Sequence, residues 1–180
     1  MNGCGQRLFK PFQIPKNFVL VVDTREQLPL FQDAEYENVP VERRALKHGD
    51  YSVAGYENSI MIERKMIGDL TAYITADREK TIKKLEAMAG LEWKGLALEL
   101  EEIELYLPKM FTKVPPEVFR QTIVSWEIKY GLHVYTSGNR KWIERWILDH
   151  LLKFYRIKTE LDKSGQFGQN QTNPGQYQTD

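Results

Sequence analysis

Residues 49–69 read GDYSVAGYENSIMIERKMIGD, and this stretch decides the fold. Tyr51–Ala54 and Ser59–Lys65 are short runs rich in apolar and aromatic side chains, which is typical of strands. The segment between them, Tyr56-Glu57-Asn58, has the composition of a turn. The pattern therefore predicts a β-hairpin whose two strands are flanked by acidic residues.

This hairpin is expected to gather charged side chains at one end. Successive strand side chains point to opposite faces, so Glu63 and Lys65 share one face and Arg64 takes the other. If the strands pair, Asp50 lies beside the Glu63 end of its neighbour. Two carboxylates held together repel each other, and a divalent cation such as Mg²⁺ or Mn²⁺ offsets that repulsion. An acid followed by acid-x-Lys on adjacent strands therefore predicts a centre for phosphodiester hydrolysis.

The sequence on either side of the hairpin predicts alternating strands and helices. Short apolar runs predict further strands at 18–22, 39–45, 95–100 and 133–136. Apolar residues three and four positions apart predict helices at 67–89, 116–130 and 140–158, and 101–107 has the composition of a short acidic helix. This order predicts an α/β or α+β domain whose central sheet is covered by helices.

Composition divides the chain into three parts. Residues 1–16 are interpreted as an N-terminal arm because they mix polar residues with glycine and proline. Residues 17–160 form the predicted folded domain. Residues 161–180 are rich in Gln, Asn and Gly and have almost nothing to bury, so this tail is predicted to be disordered.

Charge and cysteine content exclude several classes of protein. The 180 residues contain 25 Lys+Arg and 25 Asp+Glu, so a strongly basic protein or a polybasic membrane binder is excluded. The single cysteine, Cys4, excludes a disulfide scaffold and a thiolate zinc site. No apolar run approaches the roughly 20 residues of a membrane span. We expect a soluble intracellular protein with no membrane partner, cytoplasmic if prokaryotic or viral and nuclear if eukaryotic.

Three ordered blocks of sequence carry a family resemblance. VVDTRE at 21–26, GD at 49–50 and IERKMIGD at 62–69 resemble the nuclease domain of the XPF-type structure-specific endonucleases, whose signature is GD followed by ERKxxxD. The resemblance covers about Phe18 to Glu101. It implies a restriction-endonuclease-like α/β fold of the PD-(D/E)xK class, with a mixed central sheet flanked by helices. It also implies Mg²⁺- or Mn²⁺-dependent cleavage of branched DNA, such as flaps, forks or junctions, in repair, recombination or replication.

The resemblance also implies roles for individual residues. Asp50 and Glu63 correspond to the metal-binding carboxylates, Lys65 to the catalytic lysine, and Asp23 to a further acidic member of the active site that could bind metal. The positions implied to support the site or contact DNA are Arg25, Glu26, Arg64, Asp69 and Arg78. An acid at the end of the next strand corresponds to either Glu99 or Glu101, and the sequence does not choose between them.

Other interpretations stay open. Each acid taken singly could cap a turn or helix, as expected for Asp69 in a first helical turn. The lysines at 80, 83 and 84 are interpreted as a solvated helix face, with phosphate contact as the alternative. No paired hairpin glycines follow Glu101, so we recognise no tandem helix-hairpin-helix module and expect a homodimer or a separate DNA-binding partner. The alternative functions are a non-catalytic DNA-binding or scaffolding subunit and a related recombination nuclease or junction resolvase.

Overall fold

A six-stranded mixed sheet forms the centre of the molecule. The computed structural model describes residues 11–106 and 113–164. Five strands run in one direction and the third runs antiparallel to both of its neighbours, in the order β2-β1-β3-β4-β5-β6. The strands are β1 (Leu20–Asp23), β2 (Val41–Arg44), β3 (Tyr51–Val53), β4 (Ile60–Lys65), β5 (Trp93–Leu98) and β6 (Leu132–Thr136).

Helices cover both faces of this sheet. Among the described residues they are α1 (Ile67–Ile74), α2 (Arg78–Ala87), α3 (Glu102–Tyr106), α4 (Pro116–Tyr130) and α5 (Arg140–Ser164), with one 3₁₀ turn at Ala34–Tyr36. Proline at the first position of α4 has no N–H to leave unpaired, and Gly131 ends that helix in the left-handed conformation, with φ of 62°.

The alternation of side chains along the strands divides the core into two layers. On one face, Ile60 and Ile62 of β4 pack in a buried cluster with Ile143 and Ile147 of α5. On the other face, Met61 of β4 lies in a second cluster with side chains from α1, α2 and α4. Every second residue of β4 therefore belongs to the same layer, as the hairpin pattern predicts. The charged residues at the end of β4 continue this alternation.

The predicted strands are observed, with ends that differ by at most two residues. The predicted continuous helix at 67–89 is wrong, because α1 ends at Ile74 and α2 begins at Arg78. Both helices bury an apolar stripe, but residues 75–80 contain no apolar side chain larger than that of Ala76 to continue it. Without that anchor the chain turns at Thr75, whose backbone lies outside the helical region.

The last helix is longer than predicted. α5 continues to Ser164, whereas the sequence pattern placed its end at residue 158. Of the N-terminal arm, the described part holds Phe12 and Ile14, which pack against the core. Residues 1–10 of the predicted arm and 165–180 of the predicted tail lie outside the described residues. None of the helices within 11–106 and 113–164 has the length and apolarity that crossing a bilayer requires.

Candidate active site

Three acidic residues lie side by side across three neighbouring strands. The β1–β3 register pairs Val22 with Tyr51, and the β3–β4 register pairs Tyr51 with Ile62. One residue further along, the same antiparallel registers place Asp23, Asp50 and Glu63 abreast. Directly opposed side chains on one face of a sheet have Cβ atoms roughly 5 Å apart. The hairpin pairing predicted from the sequence therefore brings the predicted acids together.

Gly49 fixes the entry of the chain into β3. Its φ is 72°, a conformation that glycine adopts without the steric cost of a side chain. A Cβ added at this position would lie 3.0 Å from the carbonyl oxygen of Ile62 and 3.2 Å from Cβ of Met61. The close approach lets the backbone N–H of Asp50 donate to the same carbonyl at 2.9 Å. Glycine therefore allows Asp50 to be seated against β4.

Asp50 is held across the hairpin by its side chain as well. Its Oδ2 accepts a 2.7 Å hydrogen bond from the backbone N–H of Arg64. Burial, and after it the neighbouring negative charge of Glu63, raise the pKa of Asp50 to about 6. Lys65 and the Arg64 N–H act in the opposite direction without cancelling the rise. Burial and the charge of Glu63 therefore disfavour the ionised carboxylate of Asp50. An added cation would favour that ionised form.

Glu63 is buried, and donors contact both of its oxygens. Oε1 accepts from the Tyr73 hydroxyl at 2.8 Å and lies 2.7 Å from Nζ of Lys65. Oε2 lies 2.7 Å from Nζ of Lys84. Burial raises the pKa of Glu63, but Lys84 and Lys65 outweigh it, so the net shift of that pKa is downward. Glu63 is therefore an anion held in one orientation by its neighbours.

The ammonium of Lys65 makes two contacts at the end of β4. Its Nζ contacts Glu63 and also donates to the carbonyl oxygen of Arg64 at 3.1 Å. Burial lowers the pKa of Lys65, but the charges of Glu63 and Asp50 raise that pKa by more, so its net shift is upward. The side chain is therefore an ammonium ion at neutral pH, suited to hold a water or a phosphate oxygen.

Asp23 is bound mainly by its own neighbours in the chain. Oδ1 accepts from the backbone N–H and Nε of Arg25 at 2.7 Å each, and Oδ2 accepts from Nη2 of Arg25 and from the backbone N–H of Leu46. These hydrogen bonds, first that of the Arg25 side chain, hold the pKa of Asp23 at about 2 despite its burial. Asp23 therefore lies in register with the other acids, but its oxygens accept hydrogen bonds from Arg25 and Leu46.

Arg64 points to the face opposite Glu63, as the alternation predicts. Its side chain is 5% exposed, and it donates from Nε to Glu99 at 2.6 Å and lies 3.4 Å from Glu26. A third hydrogen bond goes to the carbonyl oxygen of Leu28. Of the two acids left open by the sequence, Glu99 is the one that pairs with Arg64. This network ties the loop after β1 to the ends of β4 and β5.

A cavity opens at this end of the sheet. It has a volume of about 330 Å³. The predicted site residues that line it are Arg25, Glu26, Asp50, Arg64, Lys65 and Asp69. The Arg25 side chain is 71% exposed at this cavity. Asp69 interacts electrostatically with Lys65 from the first turn of α1. Asp23, Glu63 and Arg78 do not line this cavity. Glu63 instead lines a smaller pocket together with Tyr73 and Lys84, and Arg78 lies exposed at the start of α2.

Two residues that contact Glu63 were missed by the sequence analysis. Tyr73 lies on α1 three residues after buried Leu70, and Lys84 lies on α2 beside buried Leu85. The signal in the sequence that could have identified them is a polar residue next to the apolar stripe of a helix. Residues at such positions usually lie at the surface, with their polar ends in water. The interpretation of Lys84 as part of a solvated helix face is wrong, because its ammonium binds a buried carboxylate.

A second acidic group lies elsewhere among the described residues. Oxygens of Asp33, Glu35 and Glu144 lie within 4.8 Å of one another, but the group shares no residue with the predicted metal ligands. The ammonium of Lys141 contacts both Asp33 and Glu35 and already supplies a cation there. A larger cavity of about 460 Å³, between residues 11–13 and α5, contains none of the predicted site residues. We therefore place the site at the Asp50–Glu63 end of the sheet.

The donor set at that end fits a hard divalent cation. Carboxylate and carbonyl oxygens are the ligands that Mg²⁺ and Mn²⁺ prefer. Asp50 and Glu63 supply carboxylate oxygens in adjacent register, and a cation between them would offset the repulsion by which Glu63 helps to raise the pKa of Asp50. Asp50 and Glu63 are therefore the residues that could hold such an ion.

Comparison with known proteins assigns the chain to a family. A family model described as the ERCC4 domain matches residues 22–149, more than half of the chain. The chain belongs to the ERCC4 domain family. The matched range contains all the predicted site residues of this ERCC4 domain. No curated protein sequence is significantly similar to the chain.

Solved structures share the fold of this ERCC4 domain. One structure of XPF from Aeropyrum pernix superposes with a TM-score of 0.62 at 18% identity, covering 81% of this chain and 69% of that one. Another, XPF from Aeropyrum pernix in complex with DNA, has a TM-score of 0.58 at 18% identity, covering 78% of this chain and 66% of that one. The chain thus spans about two thirds of these XPF chains. The predicted XPF-type resemblance and restriction-endonuclease-like fold are confirmed.

Proposed function

We propose that the chain is a Mg²⁺- or Mn²⁺-dependent endonuclease that hydrolyses phosphodiester bonds in branched DNA. The observation that carries this proposal is the placement of Asp50 and Glu63 side by side, with the Lys65 ammonium 2.7 Å from Glu63. Membership of the ERCC4 domain family supports the DNA substrate, and a related XPF has been solved in complex with DNA.

In this proposal Asp50 and Glu63 hold the divalent ion, with Asp23 as a further acid of the same register. The ion would lower the pKa of a bound water and offset charge on a phosphoryl oxygen. Other residues of the chain orient these two carboxylates. The Arg64 N–H and the Gly49 turn fix Asp50, while Tyr73 fixes Glu63.

Lys65 acts as a charged group in this reaction. In the metal-free site the charges of Glu63 and Asp50 raise the pKa of Lys65, so its side chain is an ammonium ion there. Its three N–H groups can orient a water towards phosphorus or donate to the phosphate oxygens as negative charge develops on them. Its hydrogen bond to the Arg64 carbonyl holds the ammonium at the cavity.

The remaining predicted residues shape the approach of DNA. Arg25 is anchored through Asp23, and its mostly exposed side chain lines the cavity, where it can meet a phosphate. Arg64, Glu26 and Glu99 form the buried network behind this surface. A homodimer or a separate DNA-binding partner would supply additional DNA contacts.

A cleavage panel tests the function. The purified chain is incubated with single-stranded, duplex, 3′-flap, fork and four-way-junction DNA in Mg²⁺, Mn²⁺ or EDTA. We expect cuts in one or more branched substrates with either metal and none in EDTA. DNA binding without cleavage of any substrate would contradict the proposal and favour the non-catalytic subunit. Equal cleavage of linear duplex and branched DNA would contradict the branched-substrate specificity.

A further inference from the structure

Lys84 occupies an unusual position for a helix-surface lysine. Its side chain leaves α2 and reaches Oε2 of Glu63 at 2.7 Å, and it also approaches the Tyr73 hydroxyl at 3.3 Å. Glu63 is 5% exposed, so this is an ion pair with a buried carboxylate. Within the described residues, no other cation is this close to Oε2 of Glu63.

The two lysines on Glu63 differ in how firmly they are held. Lys65 emerges from the sheet, its side chain is 14% exposed, and it donates to the Arg64 carbonyl as well. Lys84 extends from α2, and its side chain is 34% exposed. A long, flexible and partly exposed side chain can rotate into water. Lys84 is therefore the donor that can leave Glu63 most easily.

We propose that the Lys84 ammonium is a stand-in cation at Oε2 of Glu63, which a divalent ion displaces when it binds Asp50 and Glu63. This inference rests on the proposed function, because it assumes that a divalent ion uses that pair. It assigns Lys84 as a positioning residue that orients Glu63 in the absence of metal.

The electrostatics of the site support this assignment. Charges of opposite sign on Lys84 and Glu63 compensate each other when no metal is present, whereas an ammonium beside a divalent ion is repelled by it. Each bound ion must then break the Lys84–Glu63 pair. A partly exposed pair of this kind changes an equilibrium by about two- to fivefold, within the range that measured surface ion pairs support.

The test is titration of MnCl₂ into the full chain without DNA, followed by calorimetry. We expect Lys84→Met to bind Mn²⁺ about two- to fivefold more tightly than the unsubstituted chain. Lys80→Met is the matched control, because it removes the same charge from the same helix, where Lys80 is 84% exposed and pairs with Asp77. We expect the control to change the Mn²⁺ dissociation constant less than twofold.

The effect of Mn²⁺ on thermal unfolding supplies a second readout, because loss of a purely structural lysine would destabilise the protein equally with and without metal. Without metal, Lys84→Met is expected to unfold at a lower temperature than the unsubstituted chain. In saturating Mn²⁺ this gap should close, because the Lys84–Glu63 contact is then absent from both proteins. If Lys84→Met does not fold, Lys84→Gln serves in both measurements, since its amide retains a polar contact with Glu63.

The sign of the affinity change decides the outcome. Weaker or unchanged Mn²⁺ binding by the Lys84 variants, or a stability gap that persists in Mn²⁺, would overturn the stand-in role while leaving the proposed function intact. Absence of any saturable Mn²⁺ binding by the unsubstituted chain would overturn the proposed function and this inference together.

Discussion

The Asp50 carboxylate accepts a 2.7 Å hydrogen bond from the backbone N–H of Arg64, across the two strands of the hairpin. This contact belongs to the register that sets Asp50 opposite Glu63. A one-residue slip of the hairpin would move Glu63 and Lys65 to the other face of the sheet. The geometry of the proposed centre therefore depends on hairpin register as much as on the identity of the acids.

Replacing Asp50 by Asn should stabilise the metal-free protein. The pKa of Asp50 is raised from 3.8 to about 6 on folding, so its ionisation destabilises the fold increasingly from pH 3.8 upward and fully above about pH 6. Chemical denaturation in EDTA should show Asp50→Asn more stable by up to about 3 kcal/mol at pH 7.5. The gain should fall to about half at pH 5. A gain that does not change with pH would show that ionisation of Asp50 is not its cause.

Replacing Lys65 by Ala should abolish cleavage while largely sparing DNA binding. Loss of an ammonium that stabilises developing charge reduces turnover by roughly 100-fold or more. Single-turnover cleavage of the best branched substrate measures the rate, and fluorescence anisotropy in Ca²⁺ measures binding. Lys153→Ala, which removes an exposed lysine on α5, is the control expected to cleave normally. Unchanged turnover in Lys65→Ala would remove this lysine from the mechanism.

Replacing Arg64 by Met should destabilise the fold. The Arg64 guanidinium is buried between Glu99 and Glu26, and its removal leaves those carboxylates without their main partner. Breaking a buried pair in this way costs roughly 3 kcal/mol. Urea denaturation at pH 7.5 measures the loss, with Lys80→Met as the exposed-pair control expected to change stability by less than about 1 kcal/mol. Equal effects of the two substitutions would show that the buried network contributes no special stability.

The two glycines of the hairpin region should respond differently to substitution by alanine. Both have positive φ, 72° at Gly49 and 85° at Gly55, so both variants carry backbone strain. A Cβ at Gly49 also meets β4 at 3.0 Å, whereas one at Gly55 meets nothing within 4 Å. Gly49→Ala should therefore cost roughly 1–3 kcal/mol more than Gly55→Ala in thermal denaturation. Equal costs would mean that the close approach to β4 is not tight.

Most of the sheet could be predicted from the sequence because its strands carry local signals. Ile60 and Ile62 alternate with Met61 and Glu63, and this alternation fixes which residues share a face whatever surrounds the hairpin. The break between α1 and α2 could not be predicted in this way. It depends on the missing apolar anchor at 75–80 and on how the two helices pack against the sheet.

The candidate site, like the sheet, could be predicted where it depends on local sequence patterns. Asp50, Glu63 and Lys65 follow from strand alternation and hairpin pairing, which are local. The contact of Lys84 with Glu63 joins residues 21 positions apart on a helix and a strand, and it exists because α2 packs beside the end of β4. The pairing of Asp23 with Arg25 and Leu46 likewise depends on loop geometry.

Calorimetric titration of Mn²⁺ into the unsubstituted chain and into Asp50→Asn tests the central claim, that Asp50 and Glu63 together hold a divalent ion. We predict one saturable binding event for the unsubstituted chain and at least a tenfold loss of affinity for Asp50→Asn, because the substitution removes a charged ligand. Equal Mn²⁺ affinity of the two proteins would contradict the account.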